Sequence, residues 1–286
     1  MPTRSHAAAL VTLLLAACNG DDPCEGAACH GIGFDAPEGG EIRVEYVRTP
    51  VAEYSRGVAF FKSSQTPEST PFPVIKTASE RVCNDLFAAP MWPTAPLEAS
   101  RYLDVGELSV TGGGRTIPLT RSTDYTDFLG RTHAVAYHFL DSTTMIAPSA
   151  LYDVVMTGSD ESAAATWAAQ LGVPAQFDLI APQLPLTLQI PRDSDLAITW
   201  EQPPQTIGQA VLGLVAFQDE AGALSHLCVT EAADDGFTVP KDVLAAVPPR
   251  GTLLRGHTTH ELREFPGGRR FDVIGTWCYA TPYELE

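Results

Sequence analysis

The apolar residues of this chain come in short runs, and glycine or proline cuts off nearly every run. The 23 glycines and 23 prolines among the 286 residues are spread as punctuation rather than gathered in one tract. Such spacing leaves little room for helices of ordinary length and suits β-strands. Between Gly39 and Pro174 the runs fall at residues 41–48, 57–62, 102–110, 116–120, 133–140 and 151–157. Ile42, Val44 and Tyr46 alternate with Glu41, Arg43 and Glu45, the period-2 pattern of a half-buried strand. Gly112-Gly113-Gly114 separates Leu108-Ser109-Val110 from Thr116-Ile117-Pro118-Leu119 and reads as a hairpin turn. No Lys-Ser or Lys-Thr follows, as a phosphate-cradling loop requires. One helix is expected, over 162–171, with Asp160 and Glu161 at its start and Gly172-Val173-Pro174 as its stop.

Pro174, Pro182, Pro185 and Pro191 then break the pattern, which places a domain boundary near Gln183. Residues 39–182 form an N-terminal β-rich domain, and residues 183–286 have the size of an immunoglobulin-like sandwich. Strands are expected in that second part at 186–190, 195–200, 210–218, 224–231, 236–239, 252–264 and 270–279, with Trp200 and Trp277 as core anchors. The expected fold class is all-β, two β-sandwich domains, the C-terminal one immunoglobulin-like. A formal charge of −17 argues against nucleic acid or anionic lipid as partners of the bulk surface, because phosphate contacts need clustered Lys and Arg.

The N-terminus carries the clearest targeting signal. Arg4 precedes an apolar run over 7–15 that ends in Leu15-Ala16-Ala17-Cys18. The run has the length of a signal-peptide core and is too short to cross a bilayer. Leu15 to Cys18 resembles the lipobox of bacterial lipoproteins. The resemblance implies that residues 1–17 are removed as a signal peptide and that Cys18 carries the lipid; an ordinary secretory signal cut near Ala17 leaves it a plain thiol. Among lipoproteins an Asp after the lipidated Cys favours the inner membrane, whereas this chain has Asn19. The resemblance thus implies lipid anchoring at the outer membrane, on either face.

Residues 18–38 read as a Cys/Gly-rich tether. Cys24, Cys29 and His30 outline a haem-attachment string, but four residues separate the cysteines instead of two, and no apolar helix follows to bury a porphyrin. Spacing favours a small loop closed by Cys24 and Cys29. This tether resembles those of lipoproteins of unknown function from predatory and social Gram-negative bacteria, and residues 195–200 and 234–240, followed by Val243-Leu244, resemble features of their C-terminal immunoglobulin-like module. That resemblance implies a fold and an anchored location and brings no catalytic residues. It also implies a Cys228 to Cys278 disulfide, with Cys83 buried or free and other pairings open.

Chemistry-bearing constellations are sparse. His257-Thr258-Thr259-His260-Glu261 departs from the zincin order and sits in a strand pattern, which sends the two histidines to opposite faces as solvent-facing side chains. His133 and His138 are likewise separated by an odd number of residues. No G-x-S-x-G elbow occurs, although a Ser-His-Asp set can assemble from distant residues. Asp193, Asp195, Asp234 and Asp235 stand at turns, where carboxylates either form the turn or collect Ca²⁺. Trp92, in Pro90-Met91-Trp92-Pro93, is the Trp outside any strand or helix pattern; it is a candidate ligand contact or a plug for one end of a sandwich. The expectation is therefore a non-enzyme with no catalytic, cofactor or metal set. It would play a binding or structural role in the cell envelope, with another envelope protein or a glycan as partner. The alternative is a carbohydrate-binding or hydrolytic surface protein using loop acids and Trp92. A third reading, an electron carrier, would rest on Cys24, Cys29 and His30.

Overall fold

The computed structural model describes residues 40–62, 82–85, 102–128, 130, 132–142, 146–201, 211–231, 235–265 and 269–286. Among them the chain is almost entirely strand. The first part holds β1 (Gly40–Arg48), β2 (Glu53–Phe61), β3 (Val82–Asp85), β4 (Leu108–Gly112), β5 (Arg115–Thr126), β6 (Thr132–Asp141), β7 (Leu151–Met156), β8 (Ala165–Gly172) and β9 (Leu179–Ala181). The second holds β10 (Leu188–Ile190), β11 (Leu196–Trp200), β12 (Val211–Gln218), β13 (Leu224–Glu231), β14 (Gly236–Val239), the short helix α1 (Lys241–Ala246), β15 (Arg250–Phe265) and β16 (Arg269–Leu285). The protein is an all-β sandwich. All seven strands expected after Gln183 are present. Gly113 and Gly114 turn the β4–β5 hairpin at φ +58° and +76°, the left-handed pair that a two-residue hairpin loop needs.

Sheet order is β3-β13-β12-β15-β16-β1-β2-β6-β5-β4-β7-β8, with β10 added beside β16, and a second sheet runs β14-β11-β9. β16 joins the two parts of the chain. Along one edge it pairs antiparallel with β15, from Arg269↔Phe265 to Glu284↔Arg250. Along the other it takes β1 in parallel, from Asp272↔Glu41 to Tyr279↔Arg48, and then β10 at Tyr283 to Leu285. The boundary expected near Gln183 therefore does not interrupt the sheet. The segment before it is also packed, since Phe177 is buried against Trp200, His257 and Trp277, and its carbonyl accepts the Tyr279 hydroxyl at 2.8 Å.

β5 makes the corner of the sandwich. Its first half pairs with β4 through Leu119, and its second half pairs with β6 from Thr120 onward, so one strand passes between layers. The end of β8 then folds back on the hairpin of β15 and β16. Thr259 Oγ1 donates to the Gly172 carbonyl at 2.6 Å, and a Cβ on Gly275 would lie 1.7 Å from that oxygen.

Three expectations are corrected. Residues 162–171 do not form a helix: Ala165–Gly172 is strand β8, paired with β7 from Met156↔Ala165 to Leu151↔Gly172. The alanines allow either state, and the ladder offered by β7, together with burial of Leu171, decides for strand. β1 is buried on both faces rather than one. Glu41 and Arg43 pair at 3.0 Å, and Glu45 pairs with Arg56 of β2 at 2.7 Å, so its charged face enters the interior already neutralised. His257 is also inside, not solvent-facing: it lies 4.4 Å from the Phe177 ring centroid and 5.4 Å from that of Trp200, with neither ring nitrogen hydrogen-bonded to protein.

Two measurements test this packing. Gly275→Ala must push β8 away from the hairpin and should lower unfolding free energy by about 1–3 kcal/mol, or more, read as a fall in the urea midpoint. Burial pushes the His257 imidazole down to about 4 from its ordinary 6.5, so the folded state holds it neutral. Its stabilising contribution is complete above pH 6.5 and is lost as pH falls toward 4, because the unfolded chain takes up the proton first. The loss amounts to ~3 kcal/mol at most. His257→Phe should flatten the midpoint-against-pH curve over that interval, and an unchanged slope would refute the assignment.

Candidate functional site

The beginning of β2, the end of β5 and the end of β6 meet at one rim of the sheet and enclose a cleft of about 570 Å³. Four aromatic rings line it: Tyr54, Tyr125, Phe128 and Phe139. Local chemistry fixes each ring. In the turn between β1 and β2, Thr49 Oγ1 accepts from the Ala52 N–H at 2.9 Å and donates to the Ala52 carbonyl at 2.8 Å, which throws Val51 outward to 80% exposure. Phe139 lies over Gly57, its partner across the β2–β6 pair, where a Cβ would sit 2.2 Å from the ring. Phe128 is held by its carbonyl, which accepts Gln218 Nε2 at 2.7 Å, and by the Arg56 guanidinium 4.1 Å above its ring. Tyr125 stacks face to face on His138 at 4.1 Å.

The charged side chains in the wall are all engaged. Glu53 accepts the Tyr46 hydroxyl at 2.6 Å and pairs with Arg48 at 3.2 Å. Asp127 binds His133 Nε2 at 2.9 Å. Arg56 pairs with Glu45; burial works against its charge, but that carboxylate and Tyr54 outweigh it, and its pKa lies above the ordinary value. Desolvation raises both Tyr54 and Tyr125, so each stays a neutral phenol at physiological pH. The cleft is thus largely apolar, and each charged side chain in its wall has a partner. Leu140, 75% exposed, lines it as well.

A Ser-His-carboxylate relay is incomplete among the described residues. Ser122 Oγ lies 2.8 Å from His138 Nε2, the contact of a nucleophile with its base. A relay also needs a carboxylate on the second ring nitrogen. Asp127 is committed to His133 instead, and His138 has no carboxylate partner among the described residues. Burial lowers the His138 pKa, which leaves the imidazole neutral. No group of three or more His, Cys, Asp or Glu side chains is arranged to hold a metal among the described residues. Of the turn acids named for Ca²⁺, Asp195 is occupied: its Oδ1 accepts the Lys241 N–H at 2.9 Å at the start of α1.

Cys18, Cys24, Cys29, His30 and Trp92 lie outside the described residues. The disulfide implied between Cys228 and Cys278 is not formed. Cys278 is a free, buried thiol on β16, and β12 and β15 stand between it and Cys228 on β13. Three strand spacings are about 14 Å, twice what a disulfide spans. The cleft residues escaped the sequence reading because they come from three separated turns. The nearest signal was Tyr125-x-x-Phe128 at the end of an alternating strand.

No family profile and no curated protein sequence matches the chain. Among solved structures, the crystal structure of the chicken CNTN1 FN1-FN3 domains is similar at 10% identity and a TM-score of 0.21. The alignment covers 87% of this chain and 66% of that one, so the chain spans a little under two thirds of that neighbour's length.

Proposed function

We propose that this chain is a lipid-anchored protein of the bacterial outer membrane whose β-sandwich body binds another envelope protein without catalysis. The anchor rests on Leu15-Ala16-Ala17-Cys18, and the outer-membrane address on Asn19. The binding role rests on the aromatic cleft. Its size falls in the range of ligand pockets, its charged groups are each partnered, and exposed Leu140 lines it. A largely apolar cleft whose charged groups already have partners suits a bulky apolar side chain presented by a partner. Loss of Arg4 with the signal leaves 17 basic against 35 acidic side chains, so the surrounding field favours a partner with basic flanks.

Labelled palmitate should enter the wild-type chain and leave Cys18→Ser unlabelled and released from the membrane fraction. Cross-linking in the native envelope, read by mass spectrometry, should capture one abundant envelope protein. Leu140→Asp should abolish that capture, while Leu186→Asp, an exposed apolar residue away from the cleft, should retain it. Absence of a protein partner, together with glycan-array binding that Trp92→Ala removes, would replace this reading with carbohydrate recognition.

A further inference from the structure

The antiparallel pair of β13 and β3 places Cys228 directly opposite Cys83, between Leu227↔Asn84 and Val229↔Val82. Facing residues in such a pair have α-carbons roughly 4.5–5.5 Å apart, within the roughly 4.4–6.8 Å that a disulfide bridges. Cys278 is excluded by distance and is free. We infer that Cys228 is disulfide-bonded and that its partner is Cys83.

The bond forms when the two thiols give up two protons and two electrons to an oxidising disulfide, which is itself reduced to two thiols. A thiol oxidase supplies it in an oxidising compartment, and oxidised glutathione supplies it in vitro. The consequence is local and global at once. β3 has four residues and stands at the end of the sheet, bonded to β13 along one edge; the link makes this short edge strand a covalent part of the sheet. The closed loop runs from residue 83 to residue 228 and so crosses position 183, joining the two parts of the chain that sequence spacing had separated. It also settles the odd thiol. Once Cys18 is set aside, Cys24 and Cys29 remain as neighbours, and the leftover is Cys278. Burial raises that thiol far above its ordinary pKa, so it carries almost no reactive thiolate.

This inference stands apart from the lipid anchor and the cleft, and its test reads connectivity alone. Trypsin divides the chain so that residues 82–101, 193–241 and 271–286 each carry one of the three cysteines. In the full chain, alkylated with maleimide before digestion and left unreduced, 82–101 should be joined to 193–241. That species should vanish on reduction, and 271–286 should take up maleimide only after denaturation. Peptide 271–286 linked to either of the others, or free alkylated Cys83 and Cys228 in protein held in oxidised glutathione, would overturn the pairing. Cys278→Ala provides a second reading, because it should leave the 82–101 link intact.

Discussion

The two long edges of β16 hold this structure together. A strand of ordinary length satisfies one neighbour on each side. β16, at 17 residues, has enough backbone to accept β15 along one edge and two successive neighbours, β1 and β10, along the other. Because β1 comes from the first part of the chain and β10 from the second, one strand's hydrogen-bonding capacity makes the two parts a single sheet. The close approach of β8 at Gly275 and Gly172 then seats the second layer on the same hairpin. Buried backbone groups must be paired, so breaking β16 would expose partners from both parts together.

Much of this was legible in the sequence where local rules decide. The strands after Gln183, the glycine turn between β4 and β5, and the burial of Trp200 and Trp277 follow from alternation and turn chemistry. What the sequence concealed depends on partners brought from a distance. The alanines of 165–172 satisfy a helix locally, yet β7 supplies a ladder that an isolated segment cannot have. Glu41, Arg43 and Glu45 read as a solvated face because the opposite charges that let them enter the interior include Arg56, on another strand. His257 reads as an exposed strand residue because its cage is assembled from Phe177, Trp200 and Trp277. Cysteine connectivity is the same case, since register rather than spacing sets which thiol faces which.

The cleft illustrates how a sandwich assembles an aromatic surface without a motif. Its rings come from the ends of three strands. Each is fixed by an interaction that leaves a surface open: a glycine beneath Phe139, a guanidinium over Phe128, an imidazole behind Tyr125. Pairing Glu53, Asp127 and Arg56 with neighbouring side chains lets apolar and charged residues share one wall.

The parallel pairing of β1 with β16 sets the order in which the molecule can be built. Glu41 finds Asp272 only when nearly the whole chain is available, and contacts of such long range form slowly because loop closure precedes their reward. During synthesis β1 can pair early with β2 along one edge, while its other edge waits for the last strand to emerge. The first strand of the sequence thus sits at the middle of the finished sheet, and the seam between β1 and β16 closes last.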